Sequence, residues 1–288
     1  MGKAISTLDL DSIVVAVDGS EHALLAAEQA AMLAKSLGAT LHAFTLIDET
    51  KEAQYSALHK EAETALSAVT RMAKGHGVKV EVKAIIDRYP DGILAAAERA
   101  GGDLLAIGTH GKTGYRANAF GSMADYLLRN SPIALLTQTA KVGVTPYRLS
   151  QASPEGLRVL VPLQEGAVPQ ALMGTAQALG RTRNATVTLM CVAPEKALLP
   201  QAFIEKAAAT MAASGIVRPA TRLLVGDPPG REVLKAVLVE RSDVIVMGSH
   251  GRGRLARALL GSVSAHVVGN SPAPVIVVPM REPLWEAA

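Results

Sequence analysis

The chain has 288 residues, 49% of them apolar but only 3% aromatic, and a formal net charge of +3. That length and apolar content suit two folded domains, and Ala, Val, Leu and Ile in place of aromatic rings favour helices laid on a sheet over an aromatic-rich β-sandwich. The dispersed Lys and Arg give no support to nucleic-acid binding, the single Cys191 excludes an internal disulfide, and the lack of an 18-residue apolar run or a leader-like start predicts a cytoplasmic chain without a membrane partner.

In chain order, apolar β-branched runs alternate with helical patterns. Strands are predicted near 12–17, 40–47, 78–86, 103–108 and 133–137, and helices near 20–37, 52–75, 91–101 and 121–130. Runs such as "IVVAV", "LLAIG", "VLVPL" and "VIVMG" lack polar alternation, as strands of a parallel sheet covered on both faces do. With right-handed crossovers the result is an α/β, doubly wound, Rossmann-like sheet of order 3-2-1-4-5.

This unit is written twice. Residues 14–47 align without a gap to 160–193, and 103–132 align to 243–272 with identities at Asp103, Gly108, His110, Gly111, Gly121, Ser122, Asn130, Ser131 and Pro132. The offset changes from 146 to 140 between the two blocks, which places a net deletion of six residues around 194–230. The aperiodic, Pro-, Gly- and Ser-containing stretch 142–156 separates the copies. The predicted organisation is a first domain at 1–146, a linker at 147–156 and a second domain at 157–288.

The segment "AIGTHGKTGYRANAFGS" (106–122) resembles a P-loop with Ala106 in place of its first glycine. The second copy has Gly251-Arg252-Gly253 where the first has Gly111-Lys112-Thr113, so the Lys-Thr is not part of the shared pattern. What recurs is Gly108, Gly111, Gly121 and Ser122, then Gly248, Gly251, Gly261 and Ser262. In that frame one glycine ends a buried strand, a second permits a tight turn, and a third opens a helix whose free N–H groups and Ser hydroxyl suit phosphate oxygens. Asp18, ending the first strand, is expected beside the end of the fourth, at the switch point where ligands bind. Asp18 also reads as a helix N-cap with Glu21 as its capping-box partner.

Strand-Asp-Gly-Ser, the repeated G-x2-G-x9-G-S and an Asn-Ser-Pro before a valine-rich strand resemble the universal stress protein family, in its ATP-binding, tandem form. The resemblance implies an adenine nucleotide, ATP or else AMP or ADP, with Mg²⁺, held as a regulatory or sensing ligand. It implies contacts from Asp18, Leu46, Gly108, Gly111, Gly121, Ser122 and Met123 in the first copy. In the second it implies Val192, Gly248, Gly251, Gly261, Ser262, Val263 and Ser264. It further implies that the two domains pair within one chain through their fifth strands, "PIALLT" and "PVIVVP", as an internal pseudo-dimer compatible with a further homodimer.

The copies are not equivalent. Ala124 stands in the first copy where the second has Ser264, so each lacks one polar contact, but Gln164 stands where the first copy has Asp18, so the first copy is expected to hold adenosine more securely. His110 and His250 recur without a second His, Cys or carboxylate at ligand spacing, and read as loop structure or phosphate contacts. Lys112, Arg116, Arg252, Arg254 and Arg257 read either as a solvated basic loop or as phosphate contacts. No catalytic nucleophile or base is recognisable, which favours a binding protein over the alternatives of a slow ATPase or an interaction module with vestigial sites.

Overall fold

The computed structural model describes residues 9–111, 120–139, 156–166, 168–195, 200–213, 219–249, 260–280 and 283–285. The chain divides into two compact units, 10–150 and 151–288 together with 1–9.

The first unit runs β1 (Ser12–Ala16), α1 (Glu21–Leu37), β2 (Thr40–Asp48), α2 (Tyr55–His76), β3 (Val80–Asp87), α3 (Asp91–Arg99), β4 (Leu104–Gly108), α4 (Ser122–Asn130) and β5 (Ala134–Gln138). Its sheet has the order β3-β2-β1-β4-β5 with every pair parallel, which is the expected doubly wound topology. Ile13, Val14 and Val15 of β1 and Leu104, Leu105 and Ala106 of β4 are fully buried, as central strands covered on both faces require. α1 lays Ala26, Ala27, Ala30, Leu33 and Ala34 against this sheet, and the small side chains bring the helix close. It starts at Ser20, whose Oγ accepts from Ala23 N at 3.3 Å, and stops at Gly38, whose φ of 73° permits a left-handed cap.

The second unit runs β6 (Arg158–Pro162), β7 (Val168–Pro169), α5 (Gln170–Gly180), β8 (Thr186–Ala193), α6 (Gln201–Ala213), β9 (Ala220–Val225), α7 (Pro229–Val239), β10 (Val244–Gly248), α8 (Ser262–Asn270), β11 (Val275–Val278) and β12 (Pro283–Trp285). Its parallel strands follow the same order, β9-β8-β6-β10-β11. The first copy also has a 3₁₀ segment, Glu49–Gln54, ahead of α2.

One departure from the repeat matters for the site. α5 begins at Gln170, whereas the residue aligned with the start of α1 is 167, and Val168–Pro169 is instead extended and paired antiparallel with β12. The cause lies in the cap. Gly166 stands where the first copy has Ser20 and has no hydroxyl, while Pro169 stands where it has Ala23 and has no N–H, so neither partner of the capping bond exists.

Several recurring residues are explained by the scaffold. Asp103 Oδ2 accepts from the backbone N–H groups of Asp11 and Ser12 at 3.0 and 2.9 Å, and Asp243 Oδ2 accepts from Arg158 N at 2.7 Å, each fixing the start of a central strand. In the Asn-Ser-Pro turns, Asn130 and Asn270 donate to Tyr126 O and His266 O, and Ser131 and Ser271 donate to Ile133 O and Ala273 O. These bonds turn α4 into β5 and α8 into β11.

Candidate functional site

In the first unit β2 outruns β1. The two pair from Ser12↔Thr40 to Ala16↔Phe44, Val17 N donates to Phe44 O at 2.9 Å, and β2 continues to Asp48 paired only with β3. Peptide groups alternate sides along a parallel strand, so the Leu46 peptide, two residues past Phe44, faces the side from which β1 has departed. The space left there is a pocket of about 280 Å³ lined by Asp18, Thr45, Leu46, Ile47 and Tyr89, with α2 closing it through Leu58, Glu61 and Ala62. Thr45 is 8% exposed, and its Oγ1 is buried without a protein hydrogen-bond partner.

Asp18 connects this pocket to the glycine frame. Its Oδ1 accepts from Ser20 N at 2.9 Å, so it forms the turn that precedes α1, and the helix cap itself is Ser20 rather than Asp18. Its Oδ2 lies 3.1 Å from the point a Cβ on Gly111 would occupy. Gly121 packs in turn over the 109–111 backbone and donates from N to Thr109 O at 2.9 Å. As the N-cap of α4 it has no side chain with which to cover the free N–H groups of the first turn, beside which Ser122 is exposed and Met123 half-buried. Gly108 has another neighbour, since a Cβ there would lie 2.8 Å from the backbone of both His22 and Ala23; the first turn of α1 requires this glycine.

Around this junction, Tyr89 donates its hydroxyl to Leu46 O at 2.6 Å, and burial, together with Asp18 and Asp48, pushes its pKa up to about 12. His22 stacks obliquely on His110 with ring centroids 5.1 Å apart. Burial first, and His110 second, hold His22 below its ordinary value, against opposing pulls from Glu21 and Asp18. Tyr89, Thr45 and His22 were not among the sequence candidates; the Tyr-Pro that follows the third strand was the one visible signal. Among the described residues no group of three or more His, Cys, Asp or Glu is arranged to hold a metal.

The second unit places its counterparts differently. Gln164 is exposed, and the Ser264 hydroxyl is directed inward, donating to Gly248 O at 2.8 Å. A Cβ on Gly248 would meet Met280 Sδ at 2.5 Å, so a methionine fills the place that the first turn of α1 takes in the first unit. Gly261 again caps its helix without a side chain, with Ser262 exposed and Val263 half-buried, and Val192 lies at the end of β8. Gly251, His250, Arg252, Arg254 and Arg257, like Lys112 and Arg116, lie outside the described residues, as does most of the 147–156 linker.

Comparison with known proteins agrees with the duplication. The model of the universal stress protein family matches residues 10–137 and again 157–279. A universal stress protein of Methanocaldococcus jannaschii is 31% identical over 134 residues, covering 43% of this chain and 79% of that protein. The crystal structure of a universal stress protein from Archaeoglobus fulgidus matches 94% of this chain and 99% of its own at 21% identity, with a TM-score of 0.75. A universal stress protein solved in complex with cAMP matches 43% of this chain and 93% of its own at 21% identity and a TM-score of 0.36. The chain belongs to the universal stress protein family, as two family domains in tandem.

Proposed function

We propose that the first unit binds an adenine nucleotide, ATP with Mg²⁺, as a regulatory or sensing ligand. One observation carries the reading: the pocket of about 280 Å³ beyond β1 is joined through Asp18 to Gly111 and the uncapped start of α4. A base in that pocket meets the Leu46 peptide, the ribose meets Asp18, and phosphates reach the α4 N–H groups. Mg²⁺ enters with the phosphates rather than at a dedicated protein cage. The second unit keeps the helix start at Gly261, but Gln164 replaces the carboxylate, so it binds nucleotide more weakly.

Mass spectrometry of ligand released from freshly purified protein tests this, together with ATP titration of the stripped chain. An adenine nucleotide released, or taken up again on titration, is the expected result; neither occurring rejects the reading. Phosphate release on incubation with ATP would move the assignment from a sensor to a slow ATPase.

A further inference from the structure

The repeat carries the end of α3 onto the end of α7, so that Glu98, Arg99 and Gly101 stand where the second copy has Leu238, Val239 and Arg241. Both helices close alike: Gly102 N donates to Ala97 O at 3.0 Å and Ser242 N to Val237 O at 2.9 Å, so only the side chains have been exchanged on a common backbone. A charged pair has become two adjacent apolar side chains, 67% and 78% exposed, the most exposed of the large apolar residues among the described residues. Beside them Arg241 holds a φ of 50° where Gly101 holds 60°, a conformation that is costly for a residue with a Cβ. Its side chain is exposed and has no ion-pair partner among the described residues, while the neighbouring Glu240 is bound to Arg222 at 2.7 Å.

The first unit carries the complementary relief. Ala97, Gly101 and Gly102 stand in place of Val237, Arg241 and Ser242, and these small residues border an open groove of about 210 Å³ between the end of α3 and the turn into β5. Leu94, Ala97, Pro132 and Ile133 make it apolar, and Glu98 supplies an exposed carboxylate. That carboxylate has no ion-pair partner among the described residues, and the adjacent Arg99 is bound to Asp87 at 3.3 Å. We propose that the α7 knob of one chain docks in the α3 groove of a second copy, with Leu238 and Val239 entering the groove and Arg241 pairing with Glu98. The contact is heterologous, since each chain offers one knob and one groove. Two apolar anchors and one ion pair make a small interface, so association is transient and depends on concentration. It involves neither the nucleotide pocket nor the fifth strands, and it stands independently of the nucleotide reading.

The test is sedimentation velocity of the full chain over a range of concentrations. The average mass of the wild type should rise with concentration above that of a single chain. Leu238→Glu combined with Val239→Arg, and separately Arg241→Gly, install the first copy's own residues on the same backbone, so both variants keep the fold, which circular dichroism checks. The first should weaken self-association at least about tenfold, and the second about fivefold. Glu98→Arg alone and Arg241→Glu alone should each weaken it, and the two together in one chain should restore it, because the pair re-forms with its signs exchanged. Three results overturn the proposal: a wild type that stays a single chain at every concentration, self-association unmoved by Leu238→Glu with Val239→Arg, or a double charge reversal no better than either single one.

Discussion

Asp18 serves two neighbours at once: one carboxylate oxygen holds the turn that opens α1, and the other faces Gly111. Asparagine can keep the first bond, because its side-chain oxygen still accepts from Ser20 N, but it loses the charge offered to a ribose hydroxyl. Asp18→Asn should therefore melt within a few degrees of wild type while binding ATP about fivefold more weakly, the equivalent of roughly 1 kcal/mol. Unchanged affinity by calorimetry would reduce Asp18 to a turn residue. His22 gives a second prediction. Its folded pKa lies below the ordinary 6.5, so the unfolded chain takes up the proton first as pH falls. The stability contribution is thus complete above pH 6.5 and is lost as pH falls through that value toward the depressed one. Thermal melts of wild type and His22→Asn between pH 7.5 and 5 should show a shallower acid slope in the variant; identical slopes would assign the acid sensitivity to other groups.

At the level of elements, the strand-helix alternation was legible because each strand is a short, unbroken apolar run and each helix of the first unit ends at a recognisable punctuation such as Gly38 or Gly77. α5 starts three residues later than the repeat frame carries α1 onto the second copy. The reason was also in the sequence, since Gly166 and Pro169 together remove both partners of the Ser20–Ala23 capping bond. The β7–β12 pairing had no such signal, because two- and three-residue strands carry no periodicity. The repeated aspartates show the scaffold's part in the shared pattern. Asp103→Ala leaves the N–H groups of Asp11 and Ser12 without their acceptor, and Asp243→Ala removes a fully buried carboxylate from the half-buried Arg158 N. Each should lower stability by about 1–3 kcal/mol in urea unfolding, with no change in ATP affinity for the folded fraction. A loss of affinity larger than the loss of stability would make these residues part of the site.

For the whole molecule, duplication has given two copies of one scaffold with two different ends. The sequence showed Asp18 against Gln164, and the asymmetry extends further: Ser264 ties α8 to β10, Met280 stands over Gly248, and Asp227 replaces Tyr89. The pocket itself was not legible. It depends on β2 outrunning β1 and on α2 closing over Thr45, relations between distant segments that periodicity does not report. If nucleotide is held chiefly by the first unit, the two helix-start glycines separate cleanly. At Gly121 a Cβ is already in van der Waals contact with the 109–111 backbone, 3.5 Å from Thr109 O, so the branched side chain of Gly121→Val adds bulk between the glycine loop and the uncapped start of α4. The most direct measurement is titration of ATP into full-length wild type, Gly121→Val and Gly261→Val, with circular dichroism confirming that all three are folded. The tighter binding event should weaken at least about tenfold in Gly121→Val, roughly 1.4 kcal/mol, and persist in Gly261→Val. Its persistence in Gly121→Val and loss in Gly261→Val would contradict the assignment of the site to the first unit.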